Sequence, residues 1–517
     1  MVKFMTAREA VNLIPDGATI ATNGFVGIGV PEEILEELEK RYLEEGSPKN
    51  LSAYWAAGQG DSGNRGLNHI GFEGMVKHCV GGHWNLSPKV QKLALENKIS
   101  AYNFPQGVMS HLFRDASMKL PFTISRTGLK TFADPRLEGG KINTCSTEDL
   151  VEVIEIDGEE FLKYKTPKLD VAIIRGTYAD EDGNISLTKE ALTLDAYCIA
   201  AAARVNGGMI ICQVEDVVEK GSLDPKEVLV PSTMVDVVVK TSDPSKYHMQ
   251  TFATVYNPSL SGQTKAVLSE TAPAKLSNRK VCARRAAQMF SVGDIANLGI
   301  GMPETVSLVL KEEGQADKVT MSVEPGITGG VPLGGLDFGA AVNPGSIVDQ
   351  GYQFDFYNGG GLSVAVLGLA EVDVKGNVNV SKFGGRVAGC GGFIDISQNV
   401  KKCLFVGTFT AGGLKEKIGD GKLEILQEGN SKKFRKEVEQ VTFSADYARE
   451  TGQTTLYITE RAVFTLGKEK IKLIEIAPGV DLQKDILDQM EFVPEIAEDL
   501  KIMNPKLFEE AVMGLEL

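Results

Sequence analysis

The sequence predicts an α/β protein of two duplicated open domains with mostly parallel sheets, and three observations lead to that class. The first is an internal repeat: Ala7-Arg8-Glu9-Ala10-Val11-Asn12-Leu13-Ile14-Pro15-Asp16-Gly17 lines up without a gap with Ala283-Arg284-Arg285-Ala286-Ala287-Gln288-Met289-Phe290-Ser291-Val292-Gly293. The second is a pair of apolar runs, Val171 to Ile174 and Ser363 to Leu367, that look like strands buried on both faces. The third is the alternation of such runs with segments of helical periodicity, which calls for crossover connections and parallel pairing. A chain of 517 residues with 43% hydrophobic content is in any case too long for one ordinary core.

Taken in order, each repeat opens with a short helix. In the first, Thr6 and Glu9 form a T-x-x-E capping box, and Ala10, Leu13 and Ile14 recur at helical spacing. A strand follows, leading to Gly27-Ile28-Gly29-Val30-Pro31-Glu32 in one half and Gly299-Ile300-Gly301-Met302-Pro303-Glu304 in the other. Both glycine turns are expected to open an amphipathic helix with proline at its first position. The match resumes where Leu169-Asp170-Val171-Ala172 and Asp182-Gly183-Asn184-Ile185 mirror Leu362-Ser363-Val364-Ala365 and Lys375-Gly376-Asn377-Val378. Between Pro31 and Gly183 the first half carries 79 more residues than the second does between Pro303 and Gly376, an insertion holding His69, His78, His83 and His111. The stretch 256–275, with Pro258, Gly262 and Pro273, reads as a linker. An N-terminal domain is therefore expected over 1–255 and a C-terminal domain over 276–517.

Composition excludes several function classes. A formal net charge of −15 leaves no general excess of cations for nucleic acid or an anionic membrane surface. Seven scattered cysteines show no metal-ligand spacing and suit a reducing compartment. No signal core opens the chain, and no stretch reaches the roughly 18 uncharged apolar residues of a membrane span. A cytoplasmic protein is expected. The four histidines of the insertion fit neither H-E-x-x-H nor a zinc ribbon, so structural histidines are expected and no metal. The charged run from Glu32 to Glu45 places Ile34, Leu35 and Leu38 at helical spacing, which predicts a solvated acidic face.

Three segments carry chemistry. The two glycine turns, with Gly24, Gly27 and Gly29 in the first and Gly299, Ile300 and Gly301 in the second, join a strand to a helix and can offer backbone N–H groups to an anion or oxyanion. Neither has the G-x-G-x-x-G spacing, and close helix packing is the competing reading. In Val319-Thr320-Met321-Ser322-Val323-Glu324-Pro325-Gly326, the proline drives Glu324 toward an extended conformation at a strand end, where open α/β sheets bind ligands. A lone acidic turn residue is otherwise a solvated surface group. The third segment, Phe383 to Asp395, packs five glycines into residues 384–392, including Gly391 and Gly392. Such a loop either exposes amides to a ligand or satisfies positive φ angles. Cys390 lies inside it without a histidine nearby in sequence, which argues against a thiol nucleophile.

On these residues the chain resembles the class I CoA-transferases, in particular the short-chain acyl (propionate and acetate) CoA-transferases, with looser similarity to the 3-oxoacid CoA-transferases. The resemblance spans nearly the whole chain and is carried by Asn297 to Pro303, Val323 to Gly326, Gly351-Tyr352-Gln353-Phe354-Asp355 with Gly359-Gly360-Gly361, Ala388 to Ile394, Arg175 to Asp180 and Gly407 to Gly413. It implies that Glu324 is a nucleophile forming a glutamyl-CoA thioester in a ping-pong transfer from a short-chain acyl-CoA to a free carboxylate such as acetate. It implies an oxyanion hole from the amides of Ile300 and of Gly391 or its neighbour Gly392, with Gly299 and Gly301 framing the turn. Phe104-Pro105-Gln106-Gly107 looks like the family P-Q-G turn, which gives Gln106 a place beside the nucleophile, and Gly24, Gly27 and Gly29 would line an acyl or CoA cleft. An active site at the interdomain cleft, coenzyme A as substrate and transient adduct with no permanent cofactor, and a homo-oligomer, dimer or tetramer, follow from the same resemblance. Propionate-branch relatives often read E-S-G where this chain has Glu324-Pro325-Gly326, so the resemblance does not carry the acyl preference across. Two other functions compete on sequence: an acyl-CoA hydrolase on the same framework, and a non-catalytic CoA or nucleotide binding module.

Overall fold

The computed structural model describes residues 2–268 and 273–517, so Met1 and residues 269–272 of the expected linker lie outside the described residues. The chain divides into two compact units that do not follow chain order. One comprises Met1–Ala266, Val323–Asp355 and Gly385–Asp395; the other comprises Val267–Ser322, Phe356–Gly384 and Ile396–Leu517. Two segments of the C-terminal half, one of them beginning next to Glu324, thus pack with the N-terminal half.

The first unit is built on an eight-stranded sheet. Its strands are β1 (Lys3–Met5), β2 (Thr19–Thr22), β3 (Leu51–Trp55), β4 (Val76–Gly81), β5 (Ser100–Asn103), β6 (Val171–Arg175), β7 (Met209–Val214) and β8 (Val237–Lys240), in the order β1-β8-β7-β6-β2-β3-β4-β5. Every neighbouring pair is parallel. All five residues of β6 are buried, as a strand covered on both faces requires. Helices α1 (Ala7–Val11), α2 (Glu32–Glu45) and α3 (Pro88–Leu95) close one face, where Val11, Ile34, Leu38 and Val90 meet Leu51, Trp55 and Cys79 in one core. Helices α4 (Gln106–Ser117) and α5 (Ala196–Val205) follow later in the chain, and the alanines of α5 allow close approach to β6 and β7. The inserted residues supply β4 and β5, which extend the sheet beyond β3, and helices α3 and α4.

The second unit carries β9 (Ile295–Leu298), most of β10 (Thr320–Val323), β11 (Val364–Gly368), β12 (Lys402–Val406), β13 (Thr454–Ile458), β14 (Ala462–Leu466), β15 (Ile471–Ile476) and β16 (Glu495–Ile502), in the order β10-β9-β11-β12-β13-β14-β15-β16. The pairings from β10 to β13 are parallel, β14 is antiparallel to both neighbours, and β15 and β16 are parallel. The order β10-β9-β11-β12-β13 repeats β3-β2-β6-β7-β8, element for element in chain order. The sequence repeat is therefore a repeat of topology.

Local details agree with the repeat. Thr6 Oγ1 accepts from the Glu9 N–H at 3.3 Å, while the Glu9 carboxylate accepts from the Thr6 N–H at 2.9 Å, completing the capping box. The mirrored turns after β6 and β11 share one device. Asp180 accepts from the Asn184 side chain at 3.0 Å and Asp373 from that of Asn377 at 2.8 Å, with Gly183 and Gly376 at φ of 92° and 98°. The helix starts differ from expectation: Pro31 is the residue before α2, and α6 (Thr305–Glu312) begins two residues after Pro303. The charged face of α2 is also not wholly solvated. Glu32 is buried, accepting from the Gly66 N–H at 2.9 Å and pairing with His69 Nε2 at 2.9 Å, while Glu39 engages His69 Nδ1.

These two carboxylates hold the His69 pKa up at about 9, against the opposing effect of burial. Because its folded pKa lies above the ordinary value, the stabilisation is complete below about pH 6.5 and disappears as pH rises through about 9. The His69→Gln variant should accordingly lose most stability relative to the parent in urea melts at pH 6, and the gap should narrow as the pH is raised to about 10. A gap independent of pH would contradict the ion-pair account.

Candidate active site

Glu324 stands immediately after β10, where the strand ends. The Gly326 N–H donates to the Val323 carbonyl at 3.1 Å and closes a four-residue turn, and the Val348 N–H donates to the Gly326 carbonyl at 2.9 Å. Glu324 itself is only 9% exposed, so the solvated-turn reading does not hold for it. Val323 and Ile327, on either side of the turn, are buried in one apolar cluster with Phe25, Val26, Ile28 and Val30. The first glycine turn of the chain is thus the bed on which the glutamate turn lies. Its glycines face the protein's own side chains: an added Cβ would come within 2.7 Å of Val30 at Gly24, 2.3 Å of Phe252 at Gly27 and 2.9 Å of Leu194 at Gly29. Close packing accounts for these three glycines, with the space beside each already filled.

Gln106 is the first residue of α4 and is buried. Its backbone N–H donates to the Gly391 carbonyl at 2.9 Å, and the Gly391 N–H donates to the Gly82 carbonyl at 2.7 Å. The glycine-rich loop is secured further by the Trp84 N–H to the Ala388 carbonyl at 2.8 Å, the Gln91 amide to the Val387 carbonyl at 2.7 Å and the Cys390 N–H to the Asn103 side-chain oxygen at 3.0 Å. The Gly107 N–H donates to Asp395 at 3.0 Å, and a Cβ there would lie 2.4 Å from that carboxylate, so only glycine fits. The structure therefore brings Gln106 and the 389–392 loop together. It also commits the Gly391 amide to Gly82. The neighbouring Gly392 N–H has no acceptor among the described residues.

The orientation of the Gln106 amide is set from behind. Gln350 Nε2 donates to Ser110 Oγ at 2.9 Å and to Asp195 at 2.8 Å, which leaves its carbonyl oxygen to accept from Gln106 Nε2 at 3.0 Å. Burial first, and then the nearby Asp349 carboxylate, pushes Asp195 well above the usual carboxylate range. His83 adds a second wall: an added Cβ on Gly391 would lie 3.7 Å from both Gln106 Oε1 and the His83 ring. Burial alone pushes His83 down to about 4, so its ring is neutral at pH 7. Cys390 is buried with its Sγ 3.8 Å from the Gly82 carbonyl, and burial raises its pKa far above neutrality, so it carries no thiolate.

Sequence reasoning did not find Gly82, His83, Gln350 or Asp195. Gln350 lies one residue before the motif Gly351 to Asp355, and Asp195 is the residue directly before α5. The histidines of the insertion stand apart from one another: His69 with Glu32 and Glu39, His78 with Ser100, His111 with Asp355 at 3.0 Å, and His83 in the loop wall. Among the described residues no group of three or more His, Cys, Asp or Glu side chains could hold a metal ion. In the second unit the Gly299 N–H donates to the Val366 carbonyl at 2.9 Å, Ile300 is 61% exposed, and an added Cβ on Gly301, at φ of 88°, would meet nothing within 4 Å. No helix among the described residues is long and apolar enough to cross a membrane.

An open α/β framework of this topology is shared with the CoA-transferases, and the chain belongs to that family. The family model for coenzyme A transferase matches residues 4–241. The chain is 46% identical to the caffeate CoA-transferase of Acetobacterium woodii, covering 100% of this chain and 99% of that one. It is equally 46% identical to the acetate CoA-transferase YdiF of Escherichia coli K12, covering 100% and 97%. Among solved structures, the acyl-CoA transferase YdiF apoenzyme from Escherichia coli O157:H7 matches with a TM-score of 0.94 at 45% identity, covering 100% of this chain and 98% of that one. The same protein as a thioester complex with CoA matches with a TM-score of 0.93 at 44% identity, with the same coverage.

Gly326 sits at φ of 128°, and an added Cβ would lie 2.1 Å from the Val348 carbonyl oxygen. Gly17 also has positive φ but nothing within 4 Å of the added atom. Gly17→Ala should cost about 1 kcal/mol from backbone strain alone, whereas Gly326→Ala should cost more and displace the Glu324 turn. Thermal melts and CoA-transfer assays of the two variants check this, with Gly17→Ala near parental activity and Gly326→Ala severely reduced.

Proposed function

We propose that the chain transfers coenzyme A from a short-chain acyl-CoA to a free carboxylate such as acetate, through a glutamyl-CoA thioester on Glu324. The observation that carries this reading is the position of Glu324, largely withdrawn from water at a strand end, in a chain whose relatives include a transferase solved as a thioester complex with CoA. The names of the two 46% identical relatives, one an acetate and one a caffeate CoA-transferase, support CoA transfer to a carboxylic acid and leave its size to experiment.

A carboxylate is a weak nucleophile in water and a sufficient one toward a thioester when partly desolvated and aligned. A Glu324 oxygen attacks the acyl-CoA carbonyl carbon, the carbon–sulfur bond breaks, and CoA leaves as thiolate from an acyl-glutamyl anhydride. The thiolate then attacks the glutamyl carbonyl, the anhydride carbon–oxygen bond breaks, and the first acid departs as its carboxylate. The glutamyl-CoA thioester that remains is resolved by the incoming carboxylate through the same two steps reversed. No proton is gained or lost overall. Each tetrahedral intermediate carries an oxyanion, and the uncommitted Gly392 N–H is the donor we assign to it in the 389–392 loop. Gln106 retains one amide hydrogen and its carbonyl oxygen for the reacting groups, in the orientation fixed by Gln350. Loss of one preorganised donor at such a site typically costs about 10² to 10³ in rate.

Initial rates should follow a ping-pong pattern, with parallel double-reciprocal lines as acyl-CoA and acetate are varied; intersecting lines would end the double-displacement account. Incubation with acyl-CoA alone followed by borohydride should shift the mass of the peptide containing Glu324, and Glu324→Gln should be nearly inactive at the start of the assay. Steady release of free CoA at a rate indifferent to added carboxylate would instead indicate hydrolysis.

A further inference from the structure

The face of the first sheet turned away from α1, α2 and α3 carries an anomaly at the amino ends of its strands. Thr19 pairs with Ser52, Ser52 with His78 and His78 with Ser100, so four polar residues form a single row across β2, β3, β4 and β5. A parallel sheet covered on both faces is ordinarily apolar on both. Along β3 burial alternates: Leu51, Ala53 and Trp55 are buried in the core, and Ser52 and Tyr54 on the other face are not. That row lines a cavity of about 1200 Å³. His78 lies between two hydroxyls, with Nδ1 2.7 Å from Ser100 Oγ and Nε2 3.2 Å from the Tyr54 hydroxyl. The Thr19 and Ser52 hydroxyls have no hydrogen-bond partner among the described residues and are open to the cavity.

The walls are basic in a chain whose net charge is −15. Four lysines, Lys77, Lys119, Lys165 and Lys168, face two carboxylates, Glu148 and Asp170. Lys165 pairs with Glu148, and Asp170 accepts from the Thr19 N–H at 2.8 Å. The ammonium groups of Lys77, Lys119 and Lys168 have no hydrogen bond or ion pair among the described residues. Helices α4 and α5 also end beside the cavity, each contributing about half a negative charge, less together than three free ammonium groups supply. Among the described residues no arginine lines the walls, so an anion here would meet lysines, which serve phosphate as point charges. The volume exceeds what an inorganic ion needs and leaves room for an organic ligand, for which Leu120, Leu150 and Leu169 offer apolar wall.

We propose that this cavity is a second binding site, for a phosphate-bearing organic anion of nucleotide size, held by Lys77, Lys119 and Lys168 over the polar row of Thr19, Ser52, His78 and Ser100. The site lies at the opposite ends of the strands that lead to Gly82 and Gln106. From His78 to Gly82 is four residues of extended chain, roughly 13 Å at about 3.3 Å per residue. None of the three lysines is among the residues placed at the candidate active site.

Isothermal titration of the purified full-length protein with adenosine triphosphate, inorganic pyrophosphate and citrate tests the assignment. The parent should bind adenosine triphosphate more tightly than pyrophosphate and pyrophosphate more tightly than citrate. Combined Lys77→Glu, Lys119→Glu and Lys168→Glu should weaken nucleotide binding by about tenfold or more, with kcat and the KM for acyl-CoA close to parental. Ser52→Met, which keeps the lysines and fills the floor, should weaken nucleotide binding as well. Absence of nucleotide binding to the parent, binding undiminished in both variants, or citrate binding as tight as pyrophosphate would each overturn the proposal.

Discussion

Two backbone hydrogen bonds hold the candidate site in register: Gln106 N–H to the Gly391 carbonyl, and Gly391 N–H to the Gly82 carbonyl. They join three segments far apart in sequence, the end of β4, the start of α4 and the glycine loop. A buried loop so rich in glycine has few side chains to anchor it and must satisfy its amides and carbonyls locally, since each orphaned group would cost about 1–3 kcal/mol. Asn103, Trp84, Gln91 and Asp395 complete that requirement. These bonds lie within the protein itself, so the loop is held without any ligand.

A second constraint follows from the Glu324 turn. It rests on Phe25, Val26, Ile28 and Val30, so the first glycine turn serves the site by packing beneath it. The two G-x-G turns of the repeat have diverged in environment. Gly24, Gly27 and Gly29 are enclosed by Val30, Phe252 and Leu194, while Gly301 has open space around it. Copies of one sequence pattern have thus become a foundation in one unit and an exposed turn in the other.

Much of the architecture was legible because it is written in local terms. The Thr6 and Glu9 capping box, the apolar run at Val171 and the mirrored glycine turns each depend on neighbours within a few residues, and duplication doubled their signal. The end of β10 at Val323, placing Glu324 on a strand end, followed from the proline after it. What resisted reading was long-range. Nothing local distinguishes Gln350 from any other glutamine until Asp195 and Ser110, more than 150 positions away, are seen to use both of its amide hydrogens. The Gly391 amide looked free in sequence because the carbonyl that accepts from it, on Gly82, comes from the insertion. The acidic run on α2 misled in the same way, since Glu32 meets His69 from that insertion too.

The twin turns at Asp180 and Asp373 make the molecule its own control. The same aspartate, asparagine and glycine close the same corner after β6 and after β11, once in the unit that contains Glu324 and once in the other. Intrinsic chemistry is held constant between them, so any difference in how the two corners tolerate change or exchange their amides with solvent reports on their surroundings. One chain therefore offers a measure of how far an ancestral duplicate has been reshaped by the work assigned to each half.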